Sequence, residues 1–361
     1  MGGTERQVVT LAKGLLSRGH DVSVLSRWPV HDDNPYRAEL RDADVRFVAS
    51  GRRGSGTPLS RGLPYLRSRL GVRGRRSDDE TETRLWRWQA RALLALGGPD
   101  VVVHEVPFFG VISPAGRAVL RELRLPTVHT VLGQMTGVLP VPATPWAVLT
   151  ADGTPQIAGD PAYRWIPSMA ESTGRVAVER SPGSVLYAGR LVEQKGLEHA
   201  VSAVAQLGPG WRLLIAGYGP QEAVLRARAA ELGVDVDFLG VVSPGDMTTL
   251  YAQADVLVQP SLHGEGLPSS VVESLAAGTP VVASAVGGLT RLASTASDAP
   301  VVLVPPGDPA ALAAGLRAAA GPVRRAAARR FYEEQLAADV VLPQYEACYA
   351  EAVESAPIAS R

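Results

Sequence analysis

Two carboxylates and two cations stand at spacings that suit the handling of a bound diphosphate. The stretch Gln259–Glu273, QPSLHGEGLPSSVVE, runs from an apolar strand through a glycine-containing loop into an expected helix. In an open parallel sheet, ligands bind outside the carboxyl ends of the strands. A glycine loop at a helix N-terminus offers backbone amides to an anion, and the helix dipole assists them. Glu273 lies about one and a half turns into that helix, at ~1.5 Å rise per residue. That is too deep to oppose phosphates, but it suits a carboxylate accepting hydrogen bonds from a diol. The plain alternative makes Glu265 a dipole partner of the helix and Glu273 an ordinary solvated residue. In VLYAGRLVEQKG, residues 185–196, Arg190 and Lys195 follow another strand. Paired cations there suit a diphosphate, Arg as a fork and Lys as a point charge. A solvated loop is the alternative, weakened because a cation near a helix N-terminus is unfavourable without an anion. Lys195 is also one of only two lysines among 36 cationic residues.

The elements that must position these residues alternate cleanly in the second half. Strands are expected at Val185–Ala188, Leu213–Ala216, Val236–Leu239, Val256–Gln259, Val281–Ala283 and Val301–Val304, with helices near 196–207, 220–232, 244–252, 268–277 and 309–319. Ser243-Pro244 and Asp308-Pro309 each place an N-cap residue before a proline at the first helical position. Near-continuously apolar strands separated by helices predict a parallel sheet buried on both faces. Gly287-Gly288 marks one more strand-to-helix turn. In the first half a helix is expected at 5–18, with strands at Val22–Leu25, Val45–Val48, Val101–Val103 and Thr127–Val131. Met1-Gly2-Gly3-Thr4 directly precedes a helix, where a Rossmann-like domain begins with a strand, so the expectation is either a misassigned start codon or an N-terminal domain that lacks its first strand. Residues 165–183 lose periodicity and gain Ser, Pro and Gly, which reads as a linker. The tail 322–353 reads as two helices broken at Pro343.

At 361 residues the chain is about twice the usual domain size, so two domains are expected. The division is residues 1–170, a linker at 171–183, a second domain at 184–338 and a returning C-terminal helix at 339–361. Residues 1–170 carry 22 Lys and Arg against 16 Asp and Glu, whereas 171–361 carry 14 against 20. This opposition of sign supports two units with different partners. The single cysteine, Cys348, excludes an intramolecular disulfide and a cysteine-based zinc site. No run approaches the ~18–20 apolar residues of a transmembrane helix, and no secretory signal opens the chain, so a cytoplasmic location is expected.

Taken together, these motifs resemble a GT-B glycosyltransferase of family 4, the retaining, nucleotide-sugar-dependent group. Glu265 and Glu273 match the ends of its E-x7-E motif, and Arg190 and Lys195 its diphosphate-binding pair. FLGVV at 238–242 matches the segment that holds the base, Gly2-Gly3-x-Glu5 its N-terminal glycine loop, and RGHDVSV the end of its first helix and second strand. The resemblance implies an α/β architecture of two Rossmann-like domains facing across a cleft, with the donor in the C-terminal domain and the acceptor in the N-terminal one. It implies sugar transfer with retention of configuration, in glycoconjugate or polysaccharide assembly, with no required metal or cofactor and a UDP- or GDP-sugar as co-substrate. The catalytic set it implies is Glu265, near the transferred sugar's hydroxyls, with Arg190 and Lys195 on the leaving group. Donor binding falls to Glu273, Gly266, Leu267, Pro268, Ser269, Val241, Gly2 and Gly3.

The sequence departs from the family pattern in four places. TVHTVLG puts Leu132 where a histidine commonly precedes the glycine, and His129 three residues earlier faces the other side of its strand. His104 and His263 are alternatives, each equally suited to a loop or to packing. The linker reads Ser168-Met169-Ala170 in place of Asn-Gly after the proline, Arg291 replaces the glutamate of GGxxE, and the span from Gly133 to the linker is short. From Arg46 to Arg76 there are nine arginines and no Asp or Glu. That stretch suits peripheral contact with an anionic membrane or a phosphorylated acceptor, or simply a solvated loop. Sparse aromatic interleaving disfavours nucleic acid. The acceptor class expected is a carbohydrate, lipid or small molecule. The alternatives are a non-catalytic or truncated nucleotide-sugar-binding protein, a GT-B epimerase, or an inverting transferase.

Overall fold

The computed structural model describes residues 3–26, 35–49, 102–105, 126–131, 146–149, 163–170, 178–295 and 300–355, with single helical positions at 87, 91, 95, 119 and 122. In the N-terminal half α1 (Gly3–Ser17) is followed by β1 (Ser23–Ser26), α2 (Pro35–Asp42) and β2 (Arg46–Ala49). Then come β3 (Val103–Glu105), β4 (Thr127–Val131), β5 (Trp146–Leu149) and β6 (Tyr163–Trp165). β1 and β2 form a parallel pair, and β3-β4-β5-β6 a four-stranded parallel sheet in that order. α2, β5 and β6 were not expected: WAVL follows a proline and is too short to show a period, and β6 lies against the stretch that reads as linker. The expected strand at Val101–Val103 lies two residues later. The described residues open directly in α1, so the expectation about a leading strand concerns chain outside them.

The C-terminal half follows the sequence closely. Its elements are β7 (Ser184–Ala188), a 3₁₀ turn (Glu193–Lys195), α3 (Leu197–Leu207), β8 (Arg212–Ala216), α4 (Glu222–Leu232), β9 (Val236–Gly240), α5 (Pro244–Gln253), β10 (Val256–Gln259), α6 (Ser269–Ala276), β11 (Val281–Ser284), α7 (Gly288–Ser294), β12 (Val301–Val304) and α8 (Pro309–Ala319). The six strands are all parallel, in the order β12-β11-β10-β7-β8-β9. Residues alternate between two buried faces: Val185, Tyr187, Leu213 and Ile215 pack with α3 and α8, while Leu186, Leu214 and Leu257 pack with α6 and the helix after α8. The two expected caps are present, Ser243 Oγ accepting from Asp246 N at 3.2 Å and Asp308 Oδ1 from Ala310 N and Ala311 N at 3.0 and 2.9 Å. The chain enters at β7 and winds first to one side and then the other. The strand order therefore reverses between β7 and β10, and the loops leaving these two strands must meet.

The tail corrects one expectation. α9 (Pro322–Gln335) and α10 (Ala338–Ser355) break at residues 336–337, and Pro343 lies inside α10. At the break Ala337 leaves the helical path to form a parallel β-bridge with Ala170, and the Tyr332 phenol donates to the Ala170 carbonyl at 2.9 Å. Pro343 is tolerated because it and Asp339, whose carbonyl it leaves without a helical donor, are both exposed. Beyond the break α10 packs Val341, Leu342, Tyr345, Cys348 and Ala352 against Leu11 and Leu15 of α1 and Val128 of β4.

α10 is also tied down at its edge. Arg18 donates to the two Glu346 oxygens at 2.7 and 2.9 Å, and His20 Nε2 lies 2.9 Å from the first of them. The hydrogen bonds from Arg18 and His20 lower the Glu346 carboxyl to about 2. A carboxylate lowered in the folded state contributes stability that is complete above its ordinary titration near 4.5 and is lost as pH falls through about 2. Glu346→Gln should therefore lower the melting temperature at pH 7 by roughly 1–3 °C. The same deficit should hold at pH 5 and narrow at pH 3.5; melting curves at the three values check it. Among the described residues no helix is long and apolar enough to cross a membrane.

Candidate functional site

The reversal of strand order brings the loop after β7 against the loop after β10. Gln194 stitches them together: its side chain donates to the His263 carbonyl, and its own carbonyl accepts from Leu262 N, both at 2.9 Å. Lys195 Nζ makes a short charge-assisted contact with Glu265 Oε1. The same oxygen accepts from Ser261 Oγ at 2.6 Å, and that hydroxyl accepts from Gln259 Nε2 at 3.1 Å. Glu265 is only 6% exposed, a burial that a carboxylate withstands only when paired and hydrogen-bonded. Tyr187 lies wholly buried beneath, its phenol donating to the Arg190 carbonyl at 2.9 Å and pushed up first by burial and then by the Glu265 charge. Arg190 itself is exposed at the mouth.

The Glu265 backbone is held from behind. Gly287, with φ of 51°, lies so close that a Cβ there would sit 1.8 Å from the Glu265 carbonyl oxygen. Only glycine meets both conditions, the left-handed backbone and the contact. Ahead of it, Gly266, buried Leu267 and Pro268 lead into α6, whose N-cap Pro268 is extended and makes no side-chain cap. Ser269 is the first helical residue, and within that turn Val271 N donates to the Pro268 carbonyl at 3.1 Å.

Glu273 faces a different set of partners. It accepts from the Tyr251 phenol of α5, which burial and then the Glu273 charge hold well above the usual tyrosine range, so it remains a donor. Arg6 Nε of α1 lies 3.6 Å from Glu273 Oε1. Arg6 Nη1 also reaches both Glu39 oxygens of α2, at 3.0 and 2.9 Å, and Lys13 Nζ meets Glu39 at 3.1 Å. One residue further along α1, Gln7 Nε2 contacts Ser168 Oγ, which donates to the Leu267 carbonyl at 3.0 Å. Ser168, read from sequence as a departure, is thus a buried bridge between α1 and the loop before α6. Gln7, Val8, Leu11, Thr130, Ser168, Met169 and Tyr345 line a small pocket next to it.

Of the residues singled out by sequence, the structure joins Lys195 to Glu265 and places Gly266–Ser269 beside them. Glu273 lies further along α6 with Arg6 and Tyr251. Val241, just past β9, is 64% exposed. Gly3 opens α1, and Gly2, Leu132 and Gly133 lie outside the described residues. His129 and His104 sit on the paired strands β4 and β3, and His263 is exposed. Arg291 of α7 stacks 5.5 Å from the Trp165 ring centroid. Of the arginine stretch only Arg46 is described, 3.9 Å from Asp21; residues 50–76 lie outside the described residues, as do 171–177 of the linker. Among the described residues no group of three or more His, Cys, Asp or Glu is arranged to hold a metal ion. Sequence reasoning missed Arg6, Gln7, Tyr251 and Ser261. Ser261 lies inside the quoted loop and was within reach; the other three owe their place to contacts far apart in the chain.

The chain is similar to known proteins along both halves. The family described as Glycosyltransferase Family 4 matches residues 1–154, and that described as Glycosyl transferases group 1 matches residues 171–320. An exopolysaccharide phosphotransferase of Streptomyces coelicolor is 28% identical over 98% of this chain, which spans 40% of that relative's length. A phosphatidyl-myo-inositol mannosyltransferase of Mycobacterium tuberculosis is 29% identical over 87% of this chain and 83% of its own. The crystal structure of Anabaena HepE in complex with UDP superposes with a TM-score of 0.68 at 15% identity, over 97% of this chain and 96% of that one, a likeness of fold. With both halves matched in order and a likeness of fold over nearly the whole chain, the chain belongs to the family 4 glycosyltransferases of GT-B fold.

Proposed function

We propose that the protein transfers a sugar from a nucleoside-diphosphate sugar to an acceptor with retention of configuration, in polysaccharide or glycoconjugate assembly. In this reading residues 184–338 take the donor, 1–170 face the acceptor, 171–183 link them and 339–361 return to the first unit. The single observation that carries it is the Lys195–Glu265 pair at the strand reversal, beside the first turn of α6. As the bond from the anomeric carbon to the diphosphate breaks, negative charge grows on the departing oxygen. Lys195, Arg190 and the Gly266–Ser269 amides stabilise that charge without having to reorganise. Glu265, fixed by Lys195 and Ser261, receives hydroxyls of the transferred sugar. Glu273 takes the ribose diol, and the backbone around Val241 lies toward the base. The UDP bound by the fold neighbour supports a nucleotide-sugar donor without selecting the base.

Melting curves with UDP, GDP, ADP and dTDP, and then with the corresponding sugars, test this. A nucleotide at ~100 times its dissociation constant adds roughly 2.7 kcal/mol of stability. Stabilisation by one nucleotide, with release of free nucleoside diphosphate from its sugar, is the expected result. Absence of a shift with all four overturns the donor site, and stabilisation without release overturns the transferase.

A further inference from the structure

The Arg6–Glu273 ion pair joins α1 of the N-terminal half to α6 of the C-terminal half. From Lys13 through Glu39, Arg6 and Glu273 to Tyr251, donors and acceptors alternate. Arg6 Nη1 makes two contacts to Glu39, and its Nε lies 3.6 Å from Glu273 Oε1. Glu273 is held from one side by a phenol of its own half and from the other by a guanidinium of α1. Its side chain nevertheless keeps 25% of its surface open to solvent, so the carboxylate still reaches a ligand. A glutamate on three rotatable bonds loses much of its value as a diol acceptor unless something fixes its direction. The adjacent Gln7–Ser168–Leu267 contact fixes the same turn of α1 against the loop before α6, so Arg6 cannot drift from its partner.

We propose that Arg6 is a positioning residue for Glu273, so that the N-terminal half completes the ribose subsite of the C-terminal half. This rests on the donor-site reading given above. The consequence is that preference for a ribose diol depends on the two halves being together.

The test compares UDP and GDP with their 2′,3′-dideoxy counterparts by calorimetric titration of the full chain. Glu273→Gln should weaken the binding ribonucleotide about ten-fold and its dideoxy form by less than about two-fold, the difference being the lost charged acceptor. Arg6→Gln should weaken the ribonucleotide roughly three- to five-fold, the upper end for a partly exposed ion pair, again with little change for the dideoxy form. Arg6→Lys should recover part of the loss. If Arg6→Gln fails to fold, Glu39→Gln, which loosens Arg6, should move the same ratio in the same direction. Equal weakening of ribo and dideoxy forms by Arg6→Gln, or no weakening at all, overturns the inference while the donor site stands. A Glu273→Gln protein that does not separate the two sugars, or an unaltered protein that binds none of UDP, GDP, ADP and dTDP, overturns the donor-site reading and the inference with it.

Discussion

Replacing Lys195 with methionine is expected to lower kcat by roughly 10²–10³-fold, the scale for removing one preorganised donor from developing negative charge. The loss should exceed any change in nucleotide affinity, because charge on the departing oxygen is larger in the transition state than in the bound donor. A second effect follows from burial. Glu265 is 6% exposed, and Lys195 is its ionic partner. Methionine there leaves a buried carboxylate whose remaining partner among the described residues is the Ser261 hydroxyl, a change worth about 3 kcal/mol of stability. The double variant Lys195→Met/Glu265→Gln should therefore melt above the single variant while remaining inactive. Turnover of the single variant within ten-fold of the unaltered protein would sink the role given to Lys195.

Gly287→Ala is expected to disable the same site from behind. The new methyl would stand 1.8 Å from the Glu265 carbonyl oxygen, and the backbone there holds φ of 51°. The obstacle is main chain, so no side-chain rotation relieves it. Either α7 withdraws or the loop carrying Glu265 and Gly266 moves. The strain should cost roughly 2–3 kcal/mol, with the melting point falling by about 2–4 °C per kcal/mol in a domain of this size. Nucleotide stabilisation should be lost with it. A Gly287→Ala protein that melts normally and responds to nucleotide would show that this close approach does not constrain the loop.

How much of this was legible differed between the halves for a physical reason. In the C-terminal half the strands other than edge strand β9, where Asp237 and Leu239 are exposed, are largely covered on both faces, so Val256–Gln259 and Val301–Val304 read as unbroken apolar runs with turn residues around them, and their bounds match. The loops carrying Lys195 and Glu265 inherit their meeting from strand order, which follows from that alternation. In the N-terminal half the strands are three to five residues long. WAVL of β5 and YRW of β6 carry no readable period. Pro343 misled because proline normally ends a helix; what ends α9 is the pairing of Ala337 with Ala170, a long-range contact that leaves no local mark. The partners of Glu273 were hidden for the same reason, since nothing near Arg6 in the sequence points toward residue 273.

The packing of α10 imposes an order on biogenesis. Residues of the N-terminal half leave the ribosome first, yet their core closes over Val341, Leu342, Tyr345 and Cys348, which are translated near the end. The six-stranded sheet, by contrast, has all its strands by Val304. The part made first is therefore the part finished last, with Leu11, Leu15 and Val128 exposed in the nascent chain until the closing helix arrives. A stop codon just after Leu336 would leave the later-made sheet with its covering helices and the earlier-made half open, a prime substrate for chaperones and proteases.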